Sequence, residues 1–69
     1  MTSQRIMHDG VDLPDGRRLV VCLSKHGHDF HVSTVDTEDG AITKEYTGRS
    51  RRDAFAIYEG TLARLDCID

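Results

Sequence analysis

Residues 19–35 read LVVCLSKHGHDFHVSTV, and this stretch decides the fold. Residues 19–23 form a continuous apolar run rich in β-branched side chains, which is typical of a central strand. Residues 30–35 alternate with a period of two, which predicts a neighbouring strand. Between the two runs, Gly27 can adopt the positive φ angle of a tight turn. We therefore predict a β-hairpin, with the apolar side chains of both strands on one face.

The next turn sets the register of a third strand. A three-residue loop over residues 38–40, with Gly40 in the left-handed position, pairs Val32 with Tyr46. In this register Ile42 and Tyr46 share the face of Val32, whereas a loop with an even number of residues would turn them to the other face. We therefore predict the three-residue loop, which completes a three-stranded meander. In the first hairpin, a two-residue loop pairs Leu23 with Val32.

An amphipathic helix is predicted after the third strand. Ser50 is a natural N-cap, and Asp53 stands where a capping box places its acidic residue. Apolar residues then recur at steps of three and four, as in a helix packed on a core: Ala54, Phe55, Tyr58, Leu62 and Leu65. Gly60 inside this helix costs about 1 kcal/mol relative to alanine, so we expect it to allow a close approach to the sheet.

The segment before Arg17 is the least patterned part of the chain. It is predicted to be a short edge strand, a strap across the sheet, or, for the first five residues, a tail. We treat residues 1–16 as an N-terminal segment and residues 17–69 as one β-β-β-α domain. The predicted fold class is α+β: a three-stranded antiparallel meander with one C-terminal helix packed on one face, and a possible short extra N-terminal strand. Three-stranded meanders with one packing helix occur among small bacterial and phage proteins.

Composition limits the function further. With 69 residues, 38% of them hydrophobic, and no tryptophan, the core is small, so partner binding is expected to add stability. The net charge of −3 disfavours a general nucleic-acid binder, which is normally basic. No apolar run approaches the ~20 residues of a membrane span, and no signal peptide is recognisable. Cys22 and Cys67 make neither a disulfide framework nor a CxxC motif, so we expect a cytoplasmic protein.

The face of the sheet away from the helix is the first candidate site, because one helix covers only one face. The register places Val20, Cys22, Val35 and Thr43 there, among polar residues that include His31 and Glu45. Three covers are possible: the N-terminal segment, a second copy of the chain, or another protein. Val20, Cys22, Val35 and Thr43 are the predicted interaction surface.

The second candidate is the cluster of Arg49, Arg51 and Arg52 at the predicted helix start. Helix N-termini and guanidinium groups both attract anions, so the cluster is a candidate site for a phosphate or carboxylate. Three more cations would extend this patch: Arg17, Arg18 and Lys25. The alternative interpretation is that these side chains simply face solvent, since arginine in a first turn opposes the helix dipole only weakly.

The third candidate is a metal site formed by His26, His28 and His31. Imidazoles around a turn can chelate Zn²⁺ or Ni²⁺. In the predicted hairpin these three point in different directions, and no second group of cysteines or histidines completes four ligands. Polar turn histidines are the favoured interpretation, and no cofactor is expected.

The sequence does not indicate an enzyme. It lacks a glycine-rich phosphate loop, a nucleophile elbow and an HExxH motif. Cys22 and His31 are predicted diagonal neighbours, but a strand cysteine among valines is more often a small core hydrophobe. The favoured hypothesis is a small protein-interaction or regulatory module, acting as a homodimer or on a protein partner. Nucleic-acid or anion binding through the arginine cluster is the alternative, and metal binding by the histidine hairpin is a weaker one.

Overall fold

The computed structural model describes residues 3–67, which form a four-stranded antiparallel sheet with one helix packed on one face. The strands lie in chain order: β1 (Ser3–Asp12), β2 (Arg18–His26), β3 (Asp29–Asp36) and β4 (Ile42–Gly48). The helix α1 (Arg51–Asp66) follows β4. The predicted α+β class with a C-terminal helix is confirmed, and the sheet has four strands, the three of the predicted meander and the possible extra N-terminal strand.

The extra strand is β1, which pairs with β2 along its whole length as an edge strand. Its Val11 lies opposite Leu19, and both Val11 and Leu13 are buried in the core beneath the helix. The alternative in which the N-terminal segment covers the far face of the sheet is therefore wrong. The predicted tail falls partly outside the described residues, which begin at residue 3.

The hairpin of β2 and β3 forms as predicted. Leu23 pairs with Val32 and Val21 with Thr34. Gly27 has a φ of 61°, the left-handed conformation that the two-residue turn requires. All four of these paired side chains are buried, because the apolar faces of the two strands coincide under the helix.

The turn between β3 and β4 differs from the prediction. Four residues, 37–40, separate Asp36 from Ala41, and the Asp36 N–H donates to the Ala41 carbonyl at 2.9 Å. Gly40 has the expected positive φ, 75°. A bulge between the partners of Val32 and Ser33 leaves Glu45 unpaired, and beyond it Val32 pairs with Tyr46 as predicted.

The bulge changes the face of every β4 residue before it. Ile42 lies opposite Val35, and Thr43 lies opposite Thr34. Because paired residues share a face, Ile42 is on the side away from the helix and Thr43 is on the helix side. The predicted positions of both residues were wrong, since a single inserted residue reverses the parity of a strand.

Glu45 also occupies the opposite side from the one predicted. Its carboxylate accepts hydrogen bonds from the Thr34 hydroxyl at 3.4 Å and from the Arg64 guanidinium at 3.2 Å. Thr34 is buried, and Arg64 belongs to the helix. The bulged residue therefore ties β4 to β3 and α1.

The helix starts and packs largely as predicted. The Ser50 hydroxyl accepts the Asp53 N–H at 3.1 Å, which satisfies one of the free donors of the first turn. Tyr58 and Leu65 are buried, and so is Thr61, which the apolar stripe did not include. Gly60 is exposed, with open space where a Cβ would lie. The predicted close approach at Gly60 was therefore wrong.

One core joins the helix to the sheet. Its buried apolar members are Val11, Leu13, Val21, Leu23, Phe30, Val32, Ala54, Tyr58 and Leu65. At its centre, Val21, Leu23 and Val32 of β2 and β3 are fully shielded from solvent. Residues 3–67 contain no helix with the length and hydrophobicity needed to cross a lipid bilayer.

Candidate functional site

In the described range, residues 3–67, no element packs on the face of the sheet opposite α1. We call this surface the open face. Strand register assigns it residues from all four strands, including two carboxylates: Arg5, His8, Gly10, Asp12, Arg18, Val20, Cys22, Ser24, His26, Asp29, His31, Ser33, Val35, Ile42, Lys44 and Thr47.

A row of aliphatic side chains crosses the open face. Val20 pairs with Val35, and Val35 pairs with Ile42, so the three lie side by side on β2, β3 and β4. Val20 and Val35 are half-buried, whereas Ile42 is 67% exposed. Ile42 therefore projects an aliphatic side chain into solvent at the β4 edge.

Small side chains next to this row leave a depression in the open face. Cys22, Ser24 and Ser33 line a cleft of about 490 Å³ together with Val35 and Arg5. The cleft is half apolar and half polar in character, because a thiol and a valine face two hydroxyls and a guanidinium. Of the four predicted interaction residues, Val20, Cys22 and Val35 lie on the open face, and Thr43 does not.

The open face also carries free positive charge. Arg18 lies 3.3 Å from the Asp12 carboxylate, and this ion pair is exposed. Among residues 3–67, Arg5 and Lys44 have no carboxylate within 4 Å. The acidic turns lie at one end of the sheet, whereas these two cations lie on the face itself.

Both edges of the sheet are irregular. A register shift lies between Arg5 and Met7 in β1, and the second shift lies at Glu45 in β4. Bulges twist an edge strand and interrupt its row of free hydrogen-bonding groups, which opposes the addition of another strand. Neither edge is therefore a regular template for another strand.

The arginines of the predicted anion site have different neighbours. The Arg49 guanidinium lies 3.7 Å from Asp29, the Arg51 guanidinium lies 5.3 Å from the centre of the Phe55 ring, and Arg52 is exposed. Arg51 and Arg52 are in the first turn of the helix. Each of the three therefore has a different environment, and the anion site stays a prediction.

Arg17 and Arg18 do not extend that cluster. They follow the β1–β2 turn, and β2 then runs about 26 Å, at ~3.3 Å per residue, before it reaches the end where the helix starts. The Arg17 guanidinium pairs with Asp15 at 2.9 Å and Asp36 at 3.4 Å. The hydrogen bond from the Arg17 backbone N–H, and the one from its Nε, lower the pKa of Asp15.

The histidines are only partly brought together. His26 and His31 share the open face, with their ring centres 4.8 Å apart at right angles. The Thr47 hydroxyl lies 3.3 Å from His31 Nδ1. His28 occupies the turn, and residues 3–67 hold no group of three or more His, Cys, Asp or Glu side chains arranged to bind a metal.

Cys22 has a histidine on each side. His8 lies directly across from it on β1, and His31 is its diagonal neighbour on β3, as predicted. Cys22 is half-buried and Cys67 is exposed, and both thiols are free. Cys22 therefore reports on anything that covers the centre of the open face.

A polar contact on the helix side was not foreseen. The Tyr58 hydroxyl donates to Asp9 Oδ2 at 2.5 Å, which joins the helix to β1. Burial of the ring, together with the hydrogen bond to Asp9, raises the pKa of Tyr58. This contact belongs to the architecture of the core, since Tyr58 is almost completely shielded from solvent.

Sequence reasoning missed the open-face positions of Arg5, Ile42 and Lys44. The alternation of β4 predicted the wrong face for Ile42, because the bulge at Glu45 reverses the face of the residues before it. Comparisons with protein-family models, with curated proteins and with solved structures found no match.

Proposed function

We propose that this chain is a small protein-interaction module that works through the open face of its sheet, and that the partner is a second copy of the chain. The observation that carries the proposal is that one face presents both a projecting side chain and a cleft. Ile42 projects at the β4 edge, and the cleft around Cys22 and Ser33 lies on the neighbouring strands β3, β2 and β1.

Shape supports a second copy as the occupant. An isologous interface needs a surface that is complementary to itself, with each feature matched by another on the same face. The aliphatic row of Val20, Val35 and Ile42 supplies the apolar centre, and the small side chains beside it leave room for the partner's aliphatic groups. Burial of this row would add to a core that is small for an independent domain.

The distribution of charge also supports a second copy of the chain as the partner. The turn between β3 and β4 contains Glu38 and Asp39, at the end of the sheet opposite the helix start. Arg5 lies toward the other end of the open face and has no carboxylate within 4 Å in the described range. A two-fold axis that lies in the interface and runs obliquely to the strands brings the β3–β4 turn of one copy near Arg5 of the other, and it also directs Ile42 toward the partner's cleft.

The test is light scattering coupled to size exclusion, run on the full chain at two concentrations. We expect a dimer at the higher concentration and partial dissociation at the lower one. Ile42→Glu should shift the protein to monomer, because it places a charge in the apolar row. Ile57→Glu is the matched control, since Ile57 is an exposed isoleucine on the helix and lies off the open face.

A monomer at both concentrations would overturn the proposed self-association. So would a dimer that Ile42→Glu and Ile57→Glu disrupt equally, because the effect would then not be specific to the open face. Circular dichroism of each variant establishes that it is folded, and the exposure of Ile42 makes folding of Ile42→Glu expected.

A further inference from the structure

We propose that a second cleft, on the helix side of the sheet, binds a small ligand that joins a carboxylate to an apolar group. This cleft has a volume of about 270 Å³ and is lined by Gln4, Ile6, Lys25, Phe30 and Arg51. It lies on the opposite side of the sheet from the open face, so the proposal is independent of self-association.

Three strands and the helix build the cleft. Gln4 lies opposite Lys25, and Lys25 lies opposite Phe30, so the three form one row across β1, β2 and β3. Ile6 is the extra residue of the β1 bulge. Arg51 is the first residue of the helix and closes the fourth side. The site therefore exists only because β1 joins the sheet.

The two cations of the cleft are held over aromatic rings. Lys25 Nζ lies 5.6 Å from the centre of the Phe30 ring, and the Arg51 guanidinium lies 5.3 Å from the centre of the Phe55 ring. Within residues 3–67, neither cation has a carboxylate within 4 Å. Both charges are thus positioned by aromatic contacts while their hydrogen-bond donors stay available to an anion.

The lining specifies the chemistry of the ligand. Arg51 and Lys25 favour an anion, and a guanidinium fits the two oxygens of a carboxylate. Ile6 and Phe30 offer an apolar wall that an inorganic anion would leave unused, and the Gln4 amide adds a neutral donor. A carboxylate on an aromatic or aliphatic body uses all of these groups at once.

The volume of the cleft further limits which ligands can fit. The cleft is smaller than the ~300–1,000 Å³ that is usual for drug-sized ligands, so it suits one amino-acid residue or one substituted ring. Two sources share this chemistry: the C-terminal residue of a peptide and a free aryl or alkyl carboxylic acid. Two probes separate them, N-acetylphenylalanine for the peptide terminus and hydrocinnamate for the free acid.

The experiment is a titration of the full, isotope-labelled chain followed by amide chemical shifts. We expect at least one of the two carboxylates to move the amide signals of Phe30 and Arg51 with a millimolar dissociation constant. The neutral analogue, N-acetylphenylalanine amide, should bind at least tenfold more weakly, because it lacks the charge-assisted hydrogen bonds. Binding by one probe only would assign the source.

Variants make the assignment specific. Arg51→Gln and Lys25→Gln should each weaken binding about tenfold, whereas Arg52→Gln should leave it unchanged. Arg52 is the matched control because it is the next arginine of the same helical turn and does not line the cleft. Equal weakening by Arg51→Gln and Arg52→Gln would overturn the site, since it would indicate only a general attraction to positive charge.

Two further results would overturn the proposal: no shifts from either carboxylate at millimolar concentration, or equal binding of the neutral amide. Ile42→Glu should bind the carboxylate as the parent chain does. If the chain does not self-associate, carboxylate binding to this cleft can still be measured. If the carboxylates do not bind, self-association through the open face can still be measured.

Discussion

The Tyr58 hydroxyl donates a hydrogen bond to Asp9 Oδ2 at 2.5 Å across 49 positions of the chain. Tyr58 lies on the helix and is only 1% exposed, and Asp9 lies on the edge strand β1 opposite Val21. This pair fastens the N-terminal strand to the C-terminal helix, so it links the two parts of the chain that are furthest apart in sequence.

Removal of this hydrogen bond should destabilise the protein. We expect Tyr58→Phe to lower the free energy of unfolding by about 1 kcal/mol, the usual net contribution of one hydrogen bond, since the ring still fills its place in the core. Urea denaturation followed by circular dichroism measures the change. Tyr46→Phe, at the second tyrosine of the described chain, is the matched control, and an equal loss in both variants would show that the contact to Asp9 adds nothing.

The same contact predicts a loss of stability at alkaline pH. The pKa of Tyr58 is raised in the folded protein by burial and by Asp9. Its contribution is therefore fully present below the unfolded tyrosine pKa of about 10 and declines above it, because only the unfolded state then ionises. Unfolding measured at several pH values should show this decline in the parent chain and a smaller one in Tyr58→Phe. An identical decline in both would assign it to other groups.

Replacement of Gly60 by alanine should stabilise the helix. Gly60 lies in the helix interior, is exposed, and has nothing within 4 Å of the position of an added Cβ. We expect Gly60→Ala to raise the free energy of unfolding by about 1 kcal/mol, because alanine loses less backbone entropy. A thermal melt detects this as a higher midpoint. A lower midpoint would mean that the glycine serves a contact made outside this chain.

The N-cap provides a test of the helix start. Ser50→Ala removes the oxygen that accepts the Asp53 N–H and should lower the free energy of unfolding by about 1 kcal/mol. Ser50→Asp is the control, since its carboxylate can accept the same bond and also suits the helix N-terminus. In chemical denaturation, the free energy of unfolding should be highest for the parent chain, equal or slightly lower for Ser50→Asp, and lowest for Ser50→Ala. A loss as large in Ser50→Asp would contradict the capping role.

Thiol reactivity gives an independent test of the open face. In a Cys67→Ser background, Cys22 is the thiol that a chromogenic disulfide reagent can reach. We expect its reaction to slow as the protein concentration rises, because a partner on the open face would cover it. In Cys67→Ser/Ile42→Glu the rate should not depend on concentration. A rate independent of concentration in both proteins would show that Cys22 is not covered by self-association.

Local signals in the sequence were sufficient for the central hairpin and for the helix start. The β2–β3 register follows from one tight turn at Gly27 and from two apolar runs with matching parity. The helix start follows from Ser50 and from the apolar repeat after it. In both cases the deciding interactions lie within a few residues of each other, so they can be recognised without the rest of the fold.

Tertiary structure alone decided the faces of β4 and the role of β1. A bulge inserts one residue without a distinctive sequence signal, and at Glu45 it moved Ile42 to the open face and Thr43 to the helix side. β1 shows little alternation, and its place in the sheet rests on partners distant in sequence, such as Leu19 for Val11 and Tyr58 for Asp9. The sequence by itself therefore determined the local elements, while long-range pairing determined which side chains meet on each face, because that pairing depends on contacts that no short window of sequence contains.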